Sequence, residues 1–352
     1  MAPPLESDPA ARYAESLSAY LTRRYGAPTR VGGLRRVTGG FARATWRCDI
    51  ETPGSRQGAI LRVMGGPALN LSELNRETDA QAFAHDLGAP VPKPLLFEAD
   101  PDWLGGPFAL IEEVAGGHCT LSGRDLEPAL RETLGHDMWT ILGHLAAAPI
   151  DKHTVPATLD GGDPRDSAAE QLAEWTQTYR DHEIHPHPVA DAAIRWLQRH
   201  LPPAAALVGL VHGDYRLGNL LHDGRGTVIA VVDWEMAHLG DPLEDLAWSL
   251  DARQDANFPE HAAGLISYAD AVAAWQEASQ IEIDGDALRW WQVMCAFKAL
   301  GIWTLAGSHF TRGDPKRPAD ARMGWVLAER QHRILADLLS PDSRHVYYRY
   351  GQ

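Results

Sequence analysis

Three oxygen-bearing side chains, Asp214, Asn219 and Asp233, stand beside short apolar runs in LVGLVHGDYRLGNLLHDGRGTVIAVVDWEMAHLGDPLEDLAW, residues 207–248. The runs 207–211 and 228–232 are short and rich in β-formers, so they read as strands. Asp223-Gly224-Arg225-Gly226 supplies hairpin-turn chemistry between them. A hairpin closed there brings the three oxygens to one end. Carboxylate and amide oxygens so grouped suit a hard cation. A carboxylate next to that cation can orient a hydroxyl and take its proton. Arg216, two residues after Asp214, adds a permanent positive charge. Base, oxygen ligands and cation together are what phosphoryl transfer needs.

The elements that position this stretch divide the chain by hydrophobic period. Asp8-Pro9 predicts a helix start, with Tyr13, Leu17, Tyr20 and Leu21 on one face and Gly26 at the end. Residues 30–64 change to short β-type runs broken by Gly39-Gly40 and Pro53-Gly54, an antiparallel meander. Helical spacing returns over 69–87, with Leu71, Leu74, Phe83 and Leu87 as its buried face. PLLFEA and FALIEEV (108–114) read as two further strands, and Ala115-Gly116-Gly117 breaks the second. Beyond Gly117 the pattern is helical: 124–148, a helix from Asp163-Pro164, 189–200, 242–250, 261–280, 284–310 and 318–339. The expected fold is α+β and two-lobed. Residues 1–114 form an antiparallel-sheet lobe, 115–352 form a mostly helical lobe, and the chain crosses near 114–117.

Composition narrows the partners. Lys+Arg number 32 against Asp+Glu 47, a net charge of −15, which disfavours nucleic acid and anionic membrane surfaces. No apolar run approaches membrane-spanning length, and the N-terminus shows no signal pattern, so a soluble cytoplasmic protein is expected. Cys48, Cys119 and Cys295 are far apart and match neither metal nor disulfide spacing, which suits a reducing compartment. His182, His185 and His187 lie beside prolines and lack the helical pair that would mark a zinc site.

The order Asp214, Arg216, Asn219, followed by a hairpin and Asp233, is that of the protein-kinase catalytic loop and its metal-binding aspartate. HGDYRLGNLL and VVDWEMAHLGDPLEDLAW resemble the aminoglycoside phosphotransferase-like family, which has a protein-kinase-like fold. They are most similar to its branch associated with acyl-CoA dehydrogenases, whose members phosphorylate hydroxyacyl substrates. The glycine turn at 38–45, ILRV, the RET helix and APVPKP agree with that resemblance. It implies that Asp214 is the catalytic base, that Arg216 contacts the γ-phosphate, and that Asn219 and Asp233 bind Mg²⁺. His212 would be a structural member of the loop, and Asp245 would hydrogen-bond the loop's backbone. On the sheet lobe, Gly39 and Gly40 would approach the phosphates. Arg62 takes the place of the kinase lysine with Glu77 as its ion-pair partner, and the backbone at Glu113 and Val114 would meet the adenine. Where the family often has Ser and Asn after the glycines, this chain has Ala42 and Arg43.

The activity so implied is ATP- and Mg²⁺-dependent phosphorylation of a small-molecule hydroxyl, with GTP as the alternative donor. Aminoglycoside or macrolide kinase, silent pseudokinase and metal-dependent hydrolase stay open beside the hydroxyacyl kinase, and oligomeric state is left open. The aromatic stripe Trp290, Trp291, Phe297, Trp303 and Phe310 reads first as core. The basic segment 312–322 reads first as a solvated loop, and second as a site for an anionic substrate group.

Overall fold

The computed structural model describes residues 9–37, 44–64, 71–159, 161–251, 261–312 and 318–340. It opens on helix α1 (Pro9–Tyr25), which buries Leu17, Tyr20 and Leu21. Strands β1 (Arg30–Arg36), β2 (Ala44–Thr52) and β3 (Ser55–Val63) form the expected meander. Pro53 and Gly54 join β2 to β3; proline presets the first turn dihedral and Gly54 takes φ 90° at the second. Helix α2 (Leu71–Asp86) leads to β4 (Pro94–Glu98) and β5 (Phe108–Glu112), completing an antiparallel sheet in the order β1-β2-β3-β5-β4. Ala59, Leu61 and Val63 alternate inward along β3 and pack with the α1 side chains as one core.

The second and larger core is helical. Its elements are α3 (Pro128–Ala146), α4 (Ser167–His182), α5 (Pro188–Arg199), α6 (Leu243–Ser249), α7 (Tyr268–Ser279) and α8 (Gly285–Arg312), closed by α9 (Pro318–Arg322) and α10 (Ala328–Leu339). Between α5 and α6 lie four short strands. β7 (Gly209–Val211) pairs with β10 (His238–Gly240), and the hairpin β8 (Leu220–His222)–β9 (Val228–Val231) pairs with β6 (His118–Cys119). α8 is buried on almost every side from Trp290 to Gly301, as expected of a helix with apolar residues all round. Trp290, Trp291 and Phe297 are therefore core. The Trp290 indole N–H donates to the Leu197 carbonyl and that of Trp291 to Asp241.

Helix α2 joins the two cores. Leu74 packs with Met64, Phe97 and Ala109 beside the sheet, while Ala80, Phe83 and Ala84 belong to the helical core. Thr158 donates to Asp79 at 2.7 Å, and the Val231 N–H donates to the Pro90 carbonyl at 2.7 Å. The chain thus ties sheet to helices along 79–90 as well as at the crossing near 114–117.

Two helix boundaries differ from expectation. The predicted helix 261–280 begins only at Tyr268, because 261–267 form a small hairpin, β11 (His261–Ala262) with β12 (Ile266–Ser267). Ala263 and Gly264 take φ 49° and 71° there, which no helix continues, and the Ser267 hydroxyl accepts the Asp270 N–H as the true cap. The predicted helix 318–339 is interrupted by a wide π turn at Met323–Leu327. At that turn Gly324 meets Gly307 of α8 backbone to backbone, and a Cβ on Gly307 would lie 2.5 Å from the Gly324 Cα. In an open helix Gly→Ala stabilises by about 1 kcal/mol. Here Gly307→Ala should instead destabilise by roughly 1–3 kcal/mol, as overpacking does. Denaturant unfolding of the two proteins gives the sign directly.

Candidate active site

β7 delivers His212 and Gly213 to the polar loop at the centre of the helical lobe. Gly213 has φ 81°, and a Cβ there would lie 2.6 Å from the Met236 carbonyl, so only glycine fits. The buried Asp245 carboxylate, in the first turn of α6, accepts the His212 N–H at 2.6 Å and the Gly213 N–H at 2.9 Å. Burial pushes the Asp245 carboxyl up, against the pull of those two N–H donors. The His212 Nδ1 accepts the Asp214 N–H at 3.2 Å, so its other nitrogen carries the proton and donates to the Val232 carbonyl at 3.0 Å. With both nitrogens committed, the buried ring is structural and cannot act as a base. Tyr215 anchors the loop from the other side by donating to the Met138 carbonyl at 2.8 Å, and burial holds its hydroxyl far above the usual phenol range.

Asp214 projects from this frame. Its Oδ1 accepts the Trp248 indole N–H at 3.0 Å and the Arg216 Nε at 3.2 Å. Its Oδ2 accepts the same Arg216 Nε at 3.0 Å and the Asn219 amide at 2.9 Å. The Asn219 nitrogen also donates to the Asp214 carbonyl at 2.9 Å, so its oxygen is the end left facing outward as an acceptor. In the hairpin turn, Asp223 accepts the N–H groups of Arg225 and Thr227. The Val232 N–H then donates to the Asn219 carbonyl at 2.9 Å, which locks the end of β9 beside the loop. Asp233 follows at φ 71°, a left-handed conformation that costs a non-glycine residue about 1–3 kcal/mol. Buried Trp234, which donates to the Val231 carbonyl and lies 4.6 Å from the His212 ring, holds the strained turn in place.

The sheet lobe contributes Arg62 from β3. It ion-pairs with buried Glu77 of α2, and its Nη2 stands 3.6 Å from Asp233 Oδ1. Asp214, Arg216 and Asn219 are joined by direct hydrogen bonds, the Val232–Asn219 backbone bond sets Asp233 next to them in the chain, and Asp233 pairs across the lobes with Arg62, which Glu77 holds. Arg216 is turned back onto Asp214 and is about two-fifths exposed. Gly39 and Gly40 lie outside the described residues. The Glu113 N–H donates to the Gly58 carbonyl at 3.1 Å, so this residue can offer a base edge its carbonyl but not its amide. Val114 follows at the chain crossing, its carbonyl 3.4 Å from the Gly117 N–H. The Glu113 side chain is gripped by Arg47, with contacts from 2.8 to 3.1 Å. Glu235 is exposed. Arg312 donates to the Asp181 carbonyl, and 313–317 of the basic segment lie outside the described residues.

Sequence reasoning assigns no role to a buried cluster behind the loop. Lys298 of α8 is 2% exposed and donates to the Gly213 carbonyl at 2.7 Å and to Glu244 at 2.9 Å. The other Glu244 oxygen faces His238 Nε2 at 3.1 Å. Burial works to raise the Glu244 carboxyl, but Lys298 and His238 outweigh it and hold it down at about 2. The signal was a single lysine inside the apolar run VMCAFKALGIW. Trp248, at the end of LEDLAW, carries no comparable signal.

Among the described residues, one further group, His187, Glu329 and His332, has ligand atoms within 4.8 Å of one another. The His187 and His332 rings stack at 3.5 Å and 14°, so their nitrogen lone pairs run parallel instead of converging on an ion. Asp233 with the Asn219 oxygen is the donor set that fits a hard cation. No helix among the described residues is long and apolar enough to cross a membrane.

The phosphotransferase enzyme family matches residues 33–291. Acyl-CoA dehydrogenase family member 10 of Mus musculus is 35% identical over 182 residues, covering 50% of this chain and 16% of that protein. Acyl-CoA dehydrogenase family member 11 of Gallus gallus is 30% identical over 66% of this chain and 30% of that protein. The chain thus spans less than a third of either relative. Among solved structures, one provisionally assigned as an aminoglycoside phosphotransferase of Ralstonia eutropha has a TM-score of 0.75 at 22% identity, covering 92% of this chain and 97% of its own. A thermostable mutant of aminoglycoside phosphotransferase APH(4)-Ia, solved with ADP and hygromycin B, has a TM-score of 0.61 at 17% identity, with 92% and 98% covered. At these identities the likeness is one of fold, a protein-kinase-like α+β architecture.

The Glu244 carboxyl lies at 4.5 in its ordinary state and at about 2 here, so its folded value is the lower of the two. Its contribution to stability is complete above pH 4.5 and is lost as pH falls from 4.5 towards 2. The stability gap between wild type and Glu244→Gln, measured by urea unfolding, should shrink as pH falls through that window. A gap that stays constant down to pH 2 would contradict the assignment.

Proposed function

The chain belongs to the phosphotransferase enzyme family, and from that premise we propose that it transfers the γ-phosphate of ATP to a hydroxyl of a small molecule in the presence of Mg²⁺. The observation that carries this reading is the Asp214 carboxylate, fixed by side-chain donors at the head of the same loop that presents the Asn219 oxygen, with Asp233 strained into position beside it. The substrate hydroxyl gives its proton to Asp214 as its oxygen bonds to the γ-phosphorus. The bond from that phosphorus to the bridging oxygen breaks, and ADP leaves. Arg216 leaves Asp214 for the transferring phosphoryl group, which needs a cation at that moment. Arg62, kept rigid by Glu77, pairs with the inner phosphates. Gly39 and Gly40, outside the described residues, would meet them, and the backbone at Glu113 and Val114 would take the adenine. Asn219 and Asp233 would hold Mg²⁺, which neutralises phosphate charge when bound. In this reading residues 1–114 are the nucleotide lobe and 115–352 carry the loop and the acceptor pocket.

For the acceptor we favour a hydroxyacyl compound, because the curated relatives that contain a matching segment are acyl-CoA dehydrogenase family members. The net charge of −15 favours a second acceptor class, cationic antibiotics, and hygromycin B accompanies one fold neighbour. We weight the relatives more, since net charge is a blunt guide to one pocket. Three free thiols suit a cytoplasmic setting.

The test is a parallel incubation of the purified protein with ATP and hydroxyacyl-CoA esters, aminoglycosides or macrolides, with mass spectrometry for the compound that gains HPO₃. A hydroxyacyl product is expected. Phosphate release without any phosphorylated acceptor would point to a hydrolase, and magnesium-dependent nucleotide binding without turnover to a silent pseudokinase. Asp214→Ala should lower turnover by about 10²–10⁴-fold, the span of general-base contributions, with an unchanged circular dichroism spectrum. Asp233→Ala should lose activity on a similar scale. Near-wild-type turnover in Asp214→Ala would sink the mechanism.

A further inference from the structure

We infer that Trp248 is a positioning residue for the base: its indole N–H sets the orientation of the Asp214 carboxylate, and Lys298 fixes the indole and the loop to one another. The inference rests on the phosphotransfer reading for its consequence, but not for its geometry.

Four hydrogen bonds reach the Asp214 carboxylate from three side chains. Arg216 is about two-fifths exposed on a long stem, and phosphotransfer requires it elsewhere. Two donors then remain, one on each oxygen: Asn219 on Oδ2 at 2.9 Å and Trp248 on Oδ1 at 3.0 Å. A carboxylate held at both oxygens cannot turn about its Cβ–Cγ bond. Held at Oδ2 alone, it can swing towards any cation nearby. Trp248 is thus the second point that defines the carboxylate plane.

The indole is itself held. It lies on α6, whose Asp245 grips the N–H groups of His212 and Gly213. Glu244 and Trp248 are four residues apart on that helix, so they share a face. Lys298 meets both: its ammonium contacts Glu244 at 2.9 Å and lies 5.1 Å from the Trp248 ring centroid. A cation over an indole face is attracted to it, more strongly when desolvated. The same ammonium holds the Gly213 carbonyl at 2.7 Å. One buried cation therefore sets the distance between the loop that carries Asp214 and the ring that aims it.

Two measurements test this. In the first, the Trp248 indole resonance is identified by its loss in Trp248→Phe and followed by ¹⁵N–¹H NMR in Asp214→Asn. A shift of that resonance is expected, and an unmoved resonance overturns the inference whatever the protein catalyses. In the second, Trp248 is replaced by its benzothienyl isostere, which has sulfur in place of N–H and the same shape. Turnover with the hydroxyacyl-CoA ester that wild type phosphorylates fastest should fall about 10–100-fold, the cost of misplacing a reacting group. The KM for ATP should stay within about twofold, because uniform binding is untouched. A 4-fluorotryptophan control, which keeps the N–H, should restore turnover. Unchanged turnover in the isostere, or an equal loss in the control, overturns the inference. If the resonance follows Asp214 while no acceptor is phosphorylated by wild type, the positioning contact stands and the phosphotransfer reading falls.

Discussion

A buried ammonium has to find oxygen, and in this chain that requirement organises the site. Lys298 is sealed inside the helical core, where an uncompensated charge costs several kcal/mol. Its acceptors are Glu244 of α6 and the carbonyl of Gly213. Each is next to a residue the site depends on: Glu244 precedes Asp245, and Gly213 precedes Asp214. Satisfying one charge therefore brings α6, α8 and the polar loop to fixed separations. His238 completes the Glu244 carboxylate from β10, whose partner strand β7 delivers the loop.

The sheet lobe solves a similar problem at its own end. Arg62 and Glu77 neutralise one another in a place that water barely reaches. The arginine's remaining edge is aimed at Asp233, and Asp233 is held in a left-handed conformation that its neighbours enforce. A strained carboxylate and a restrained guanidinium thus face each other at 3.6 Å, an ion pair that ties the end of β9 to the sheet lobe.

Much of this was legible because each motif residue answers a local demand. Asp214, Asn219 and Asp233 stand at the ends of strands that the pattern of 207–232 predicts, and the structure gathers them. The Arg62–Glu77 pair, which the family resemblance implied, is present between β3 and α2. Asp245 accepts the loop's backbone N–H groups, as the family resemblance implied. What escaped depends on groups far apart in sequence. Lys298 is 85 residues from Gly213, and Trp248 is 34 from Asp214. Neither distance has a local signature. The hairpin at 261–267 was missed because two residues in the left-handed region override an otherwise helical period.

The same physics explains why the reaction reads more clearly than the acceptor. Asn219, Asp245 and Lys298 are buried beside Asp214, so each of their polar atoms must be satisfied by another residue of this chain, and that demand restricts residue types narrowly. Trp248, Asn219, Asp245 and Lys298 each complete a partner that would otherwise be stranded. Side chains that meet a diffusible acceptor face water when the acceptor is absent, and water satisfies almost any polar group. They are free to vary without cost to the fold. A loop that is closed inward by its own hydrogen bonds thus specifies the bond to be made, and leaves the molecule that receives the phosphate to a surface under far weaker constraint.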